Sequence, residues 1–252
     1  MEANTSKRIR DLIPAGGLDG DSGFVLVNAV FFKGTWVLPF DPDLTRDEPF
    51  QLERGGSVPT RLMHRQGEAR HLRADGYQAV ELAYEGDDLS MFVLLPDRRD
   101  GLPDLENRLS AGILRECLAN MTLSEVDLFL PRFKITWGVV NVMDQLAAIG
   151  MAVAFSRSQA DFSGINGYRP PHDEALFISA VFHKAFVEVT EEGTEAAAAT
   201  APVLCLGAAH WPGMPRPVPV FRADHPFLFG IRDRDSGAIL FLGRVVDPSK
   251  GS

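Results

Sequence analysis

Apolar residues recur at every second position along most of the chain, in short runs bounded by turn residues. This is the pattern of a protein built mainly from strands. The longest run is Phe177 to Thr190. Phe177, Val181, Ala185, Val187 and Val189 share one face of it with Ser179 and His183, and Ile178, Ala180, Phe182 and Phe186 share the other. Both faces are largely apolar, so a central strand covered on both sides is predicted. Phe24 to Phe32 is a second apolar run of β-forming residues, predicted to be a buried strand. Val58 to Met63, Ala79 to Ala83 and Leu89 to Leu95 predict an antiparallel meander, with Gly76 and the turn Glu85-Gly86-Asp87 between its strands. Glu125 to Thr136 predicts another strand, and the last 30 or so residues a hairpin about Asp233 to Gly237.

The period changes to helical in a few places. Leu105, Leu109, Ile113, Leu114 and Leu118 fall on one side of a helix predicted over Leu102 to Met121. Val139 to Ile149 predicts a helix ended by Gly150. Asn4 to Ile13 reads as the end of an amphipathic helix, followed by a loop at Pro14, Gly16, Gly17 and Gly20. Asp41 to Glu48 is an acidic turn without the spaced glycine of a calcium loop. Ala160 to Tyr168 is rich in turn residues.

One stretch breaks the strand pattern abruptly. Glu191, Glu192 and Gly193 end the long run, and Thr194, Glu195, the four alanines Ala196, Ala197, Ala198 and Ala199, and Thr200 follow. Two readings of the alanine run stand side by side. One is a short exposed helix, which barely two turns before Pro202 would leave marginal. The other is a segment of side chains small enough to enter a packed sheet. Pro202 to Pro219 then holds five prolines and two glycines, the composition of an exposed loop.

Composition narrows the function classes. The chain has 252 residues, 45% of them hydrophobic, enough for a sizeable core in one large or two small domains. The formal charge of −9 and the scattered basic residues argue against a nucleic-acid footprint. Cys117 and Cys205 are the two cysteines, so no disulfide framework is expected. No apolar run approaches the length of a membrane helix. The opening MEANTSKRIR is polar and unlike a signal peptide.

Catalytic chemistry has no signature here. The sequence contains no G-x-S-x-G, no P-loop and no H-E-x-x-H, and its six histidines are dispersed. Ser163 lies in FSGIN, which lacks the nucleophile-elbow pattern. No cofactor, metal site or hydrolase is indicated. A lone histidine on an apolar strand, such as His183, reads first as a hydrogen-bonded core residue, and Trp36 reads first as core packing.

Several of these stretches resemble one family. EEGTEAAAAT behind a strand ending HKAFVEV is similar to the hinge of the reactive-centre loop of serpins, the serine protease inhibitors. FRADHPFLFGIRD (Phe221 to Asp233) and ILFLGRVVDP (Ile239 to Pro248) resemble that family's C-terminal signature, LVNAVFFKGTW (Leu26 to Trp36) its central strand, and ADFSGING a further landmark. They fall in the family's order, and the likeness runs from about Asn4 to Ser249. It implies one domain over residues 1–252, with hinge and reactive-centre loop at 191–220. The implied fold is α+β, with three β-sheets, surrounding helices and an exposed reactive-centre loop. Serpins are longer, so the family's first third, with helices, two strands of the main sheet and one of the second, is expected to be missing.

The resemblance further implies a serine protease inhibitor that is not an enzyme. A target protease attacks the loop, forms an acyl-enzyme and is trapped when the cleaved loop inserts into the main sheet as a new strand. The hinge is then Glu191, Glu192, Gly193, Thr194, Glu195 and Ala196 through Thr200. On insertion Thr194, Ala196, Ala198 and Thr200 face inward, and Glu195, Ala197 and Ala199 face outward. The strands flanking the slot are Phe24 to Phe32 and Phe177 to Thr190. Asn28 and His183 match the shutter, where the sheet parts, and Trp36 the breach, where insertion begins. The scissile bond falls near Gly207–Ala208, with Leu206 or Cys205 in a shorter register and Trp211 or Met214 in a longer one. No arginine or lysine lies between Thr200 and Pro215, which favours an elastase-like or chymotrypsin-like partner. The alternative is a non-inhibitory or inactive member of the same fold. The compartment is extracellular if a preceding segment carries a signal and cytoplasmic otherwise.

Overall fold

The computed structural model of the chain describes residue 13, residues 24–194 and residues 217–251. Its strands, in chain order, are β1 Phe24–Phe31, β2 Gly34–Thr35, β3 Arg46–Gln51, β4 Ser57–Ala74, β5 Tyr77–Ala83, β6 Leu89–Pro96, β7 Thr122–Pro131, β8 Phe133–Asn141, β9 Ile178–Val189, β10 Gly193–Thr194, β11 Val220–Arg222, β12 Phe227–Asp233 and β13 Ile239–Val245. The α-helices are α1 Leu102–Arg108, α2 Ala111–Asn120, α3 Met143–Leu146 and α4 Ser163–Asn166. The chain divides into two compact units, Met1–Phe32 with Ile135–Val187, and Lys33–Lys134 with Glu188–Ser252.

In the first unit β1 runs parallel to β9, and β8 also pairs with β9. The β1 register places Val27 opposite Phe182, Asn28 opposite His183 and Phe31 opposite Phe186. Phe24 meets Phe162 edge-on, with ring centres 4.7 Å apart. The long strand predicted over Phe177 to Thr190 is present as β9, with Val181, Phe182, Phe186 and Val187 buried. The strand predicted over Phe24 to Phe32 is present as β1, but it is not a buried one. Leu26 is 40% exposed and Asn28 is exposed, so one face of β1 lacks cover among the described residues.

In the second unit eight strands form one sheet in the order β11-β7-β4-β5-β6-β12-β13, with β3 on β4. The strand β4 is 18 residues long. Its first residues pair with β3, its last with β5, and β7 pairs along most of its length. It therefore joins β3, β5 and β7 into one sheet. Helices α1 and α2 cover part of this sheet with Leu102, Leu105, Leu114 and Leu118, which pack on Tyr77, Phe92, Leu94 and Leu228. Gly230 on β12 leaves room for the Phe92 ring, whose Cζ would lie 2.3 Å from any added Cβ.

Three predicted elements end differently in the structure, each for a local reason. The helix predicted over Leu102 to Met121 is two helices. Leu109 is extended, and the Ser110 hydroxyl caps α2 by accepting from the Ile113 amide, an alternative to continuing the first helix. The strand predicted over Glu125 to Thr136 breaks between Pro131 and Phe133, and the Arg132 amide donates instead to the Arg61 carbonyl. The helix predicted from Val139 begins only at Met143, because β8 continues to Asn141, whose Oδ1 accepts from the Met143 and Val181 amides.

Candidate functional site

Among the described sequence-predicted positions, the end of β9 and the turn into β10 carry the densest set of polar contacts. Thr190 and Gly193 exchange both backbone hydrogen bonds, at 2.8 and 3.3 Å, so Glu191 and Glu192 form a two-residue hairpin loop. Gly193 has φ 149°, and a Cβ there would stand 2.1 Å from the Gly34 carbonyl oxygen. A glycine is required both by that backbone angle and by the close approach of β2. Gly193 then lies opposite Thr35, and Thr194 lies opposite both Gly34 and Val189 in antiparallel pairs.

The side chains around this turn are matched to it. Thr194 is fully buried, and its hydroxyl is 2.7 Å from that of Tyr84. Burial pushes the Tyr84 phenol well above its ordinary pKa against the opposing pull of that hydrogen bond, so it acts as a neutral hydroxyl. The Trp36 ring is 2% exposed, stacks on Tyr84 at 4.4 Å, and donates through Nε1 to the Thr190 carbonyl at 3.1 Å. The Trp36 and Phe40 amides donate to the Glu192 and Glu191 carbonyls, each at 2.9 Å.

Glu191 is 3% exposed yet charged. Its Oε1 accepts from the Thr45 hydroxyl at 2.6 Å and from Arg132 Nε at 2.7 Å, and Oε2 is 2.6 Å from the same Nε. Burial, the largest influence, raises its pKa. The Arg132 and Thr45 hydrogen bonds together outweigh it and hold the carboxyl below its ordinary value. A buried carboxylate held by the Thr45 hydroxyl and the Arg132 guanidinium fixes the turn in place; it is not poised to move a proton.

The other predicted positions are more loosely held or lie elsewhere. His183 is half-buried and not the core residue expected; its ring lies 5.4 Å from that of Trp137, tilted by 55°. Asn28 faces it in register on an exposed position. No side-chain hydrogen bond joins Asn28 and His183 among the described residues. Glu195 to Thr200, the scissile-bond candidates Cys205, Leu206, Gly207 and Ala208, and Trp211 and Met214 lie outside the described residues. Sequence reasoning missed Thr45, Tyr84 and Arg132, which stand 146, 110 and 59 positions from their partners in the turn. No local pattern marks residues paired over such separations.

Comparison with known proteins agrees with this architecture. Residues 1–248 match the family described as Serpin (serine protease inhibitor), and the chain belongs to that family. The leukocyte elastase inhibitor of Equus caballus is 38% identical over 98% of this chain and 64% of its own length. Serpin B3 of Homo sapiens is 41% identical over 98% of this chain and 62% of its own length. The solved structure of human thyroxine-binding globulin complexed with thyroxine superimposes with a TM-score of 0.79 at 28% identity, over 98% of this chain and 62% of that one. The chain thus has the α+β serpin fold and spans less than two thirds of these relatives.

Proposed function

We propose that this chain belongs to a serine protease inhibitor that works as a suicide substrate, through cleavage of the loop beyond Thr194 and its insertion as a strand continuing β10. The observation that carries this reading is the buried start of that strand: Gly193 and Thr194 already lie antiparallel to both β2 and the end of β9. The residues that follow, Glu195 and then four alanines, are small at every inward position. The strands β1 and β9 pair with each other directly and in parallel. A strand entering between them in the direction of β10 replaces one parallel ladder by two antiparallel ones. That adds a row of hydrogen bonds and exchanges the weaker pairing for the stronger, which favours insertion. Trp36, Thr45, Tyr84, Arg132 and Glu191 hold the starting point of the new strand; Asn28 and His183 sit where β1 and β9 must part.

The loop sequence supports an elastase-like or chymotrypsin-like target, since no basic residue lies between Thr200 and Pro215. The name of the horse relative points the same way. The test is incubation with neutrophil elastase, chymotrypsin and trypsin, followed by denaturing electrophoresis. A covalent complex that survives SDS with elastase or chymotrypsin supports the reading. Cleavage in 201–219 without complex refutes it.

The second reading is a non-inhibitory or inactive member of the family. Exposed apolar side chains of the first unit favour it: Leu26, Trp137, Ile149 and Val153 are 40, 43, 79 and 56% exposed. An uncovered apolar face favours association over a free-standing trap. Size-exclusion chromatography separates the two: a compact monomer that leaves hydrophobic dyes dark and melts cooperatively argues against the second reading.

A further inference from the structure

The strand β4 carries a charge that plays no part at the hinge. Arg65 is 8% exposed, and its Nε has no hydrogen-bond acceptor among the described residues. Among the described residues no carboxylate pairs with it. The Phe40 ring, 5.5 Å from the guanidinium carbon, is a cation–π contact. Burial alone brings the guanidinium pKa down to about 10, with no neighbouring anion raising it again, so it remains charged at neutral pH. An unmatched buried cation is costly.

Arg65 lines a cavity of about 230 Å³. Six of the thirteen lining residues are apolar: Val37, Leu38, Ala69, Leu82, Ala83 and Leu123. Val37 is 42% and Leu123 65% exposed, so the cavity is reached from solvent. The other arginines in the lining are already matched. Arg70 pairs with Glu81 at 2.8 Å and donates to the Leu118 and Met121 carbonyls. Arg234 pairs with Asp87. Arg232 and Ser90 complete the partners of Glu81. Arg65 is therefore the charge in this cavity that still wants an anion.

We propose that the cavity binds a small organic monocarboxylate, its carboxylate on the Arg65 guanidinium and its compact apolar body against Val37, Leu82 and Leu123. A planar guanidinium takes a carboxylate through two parallel hydrogen bonds. Size sets the scale: a cavity of about 150 Å³ holds benzene, so one of 230 Å³ admits a single ring with its acid group. It is smaller than the roughly 300–1,000 Å³ of drug-sized sites. An inorganic anion leaves the apolar lining unfilled. A peptide carboxylate brings backbone amides that Val, Leu and Ala side chains cannot satisfy. Glu68 also lines the cavity and is exposed, which disfavours a second negative charge on the ligand.

Benzoate is the probe, with neutral benzamide and inorganic sulfate as controls, titrated into the full 252-residue chain by calorimetry. Benzoate should bind at least tenfold more tightly than benzamide. Arg65→Met should lose at least tenfold in benzoate affinity, and so should Ala83→Leu, which fills the cavity but keeps the charge. Arg65→Met without ligand should melt at the same or a higher temperature, because it removes an unmatched charge. Several results overturn the proposal: no benzoate binding, equal binding of benzamide, equal binding of sulfate, benzoate affinity kept in Arg65→Met, or a melting temperature lowered by several degrees in that variant. Binding of an acidic peptide where benzoate fails also overturns it.

Discussion

Two polar points on one strand and its continuation are built in opposite ways. At the turn from Thr190 to Thr194 the polar side chains are buried and matched: Glu191 by Thr45 and Arg132, Thr194 by Tyr84, and the Thr190 carbonyl by Trp36. At Asn28 and His183 the side chains are open to solvent or half so, and the register of β1 on β9 is carried by backbone pairing. The difference is one of reversibility. A buried set of matched donors and acceptors is cooperative and costly to open, because each broken contact leaves a desolvated group behind. Water replaces what half-exposed polar groups lose. Under the proposed insertion, the anchored point would be the fixed start of the new strand and the open point the place where strands separate.

The strongest way to break this contrast is to put a charge into the anchored point. Thr194→Arg places a guanidinium at a site with no exposure, a penalty of roughly 3–5 kcal/mol for an unmatched buried charge. Protease complex should fall at least tenfold while loop cleavage persists, and Trp36 fluorescence should report the disturbed turn. Glu195→Arg should keep most of the complex. If Thr194→Arg traps protease as well as the parent does, the insertion reading is wrong.

Gly193→Ala comes next. Positive-φ strain and overlap with the Gly34 carbonyl together amount to roughly 3 kcal/mol, read as faster hydrogen exchange at the amides of Thr35 and Thr194. Glu191→Ala follows, at about 1–3 kcal/mol by denaturant unfolding, toward the low end because Arg132 is 42% exposed and can turn to water. Here pH sharpens the picture. The folded-state pKa of Glu191 lies below the ordinary 4.5, so the folded chain holds fewer protons than the unfolded one as pH falls through that window. The stability from this carboxylate is present above pH 4.5 and is lost in more acidic solution. In Glu191→Gln that part of the acid titration of Trp36 fluorescence should flatten. The smallest effects belong to the open point: Asn28→Ala and His183→Ala should each change stability by about 0.5 kcal/mol or less. A larger loss at His183 would erase the contrast.

Much of this is legible in the amino-acid sequence. The strands β1, β5, β6, β9, β12 and β13 follow runs of alternating or continuous apolar residues, and alternation is a property of neighbours in sequence. The turn at Glu191 to Gly193 is equally local, because a glycine between two glutamates and a row of small residues stands out against any strand. The chain's misread elements share another cause. Leu109, Arg132 and Asn141 sit where two elements compete, and the outcome rests on a cap at Ser110, a bond to Arg61 and a bond to Val181. The far half of β4 escaped notice because its residues, from His64 to Arg73, are mostly polar; pairing with β5 and β7 makes it a strand.

Period and turn chemistry, then, were written into the chain: which stretches extend, where the long strand stops, and that small side chains follow it. Partnership was not. That Arg132 and Thr45 meet Glu191, that Tyr84 meets Thr194, and that Arg65 meets no carboxylate among the described residues depends on which strand lies beside which. Burial turns each of these from a routine surface charge or hydroxyl into a group whose pairing has energetic weight. A charge in water is indifferent to its neighbours at this scale, whereas the same charge removed from water is defined by them.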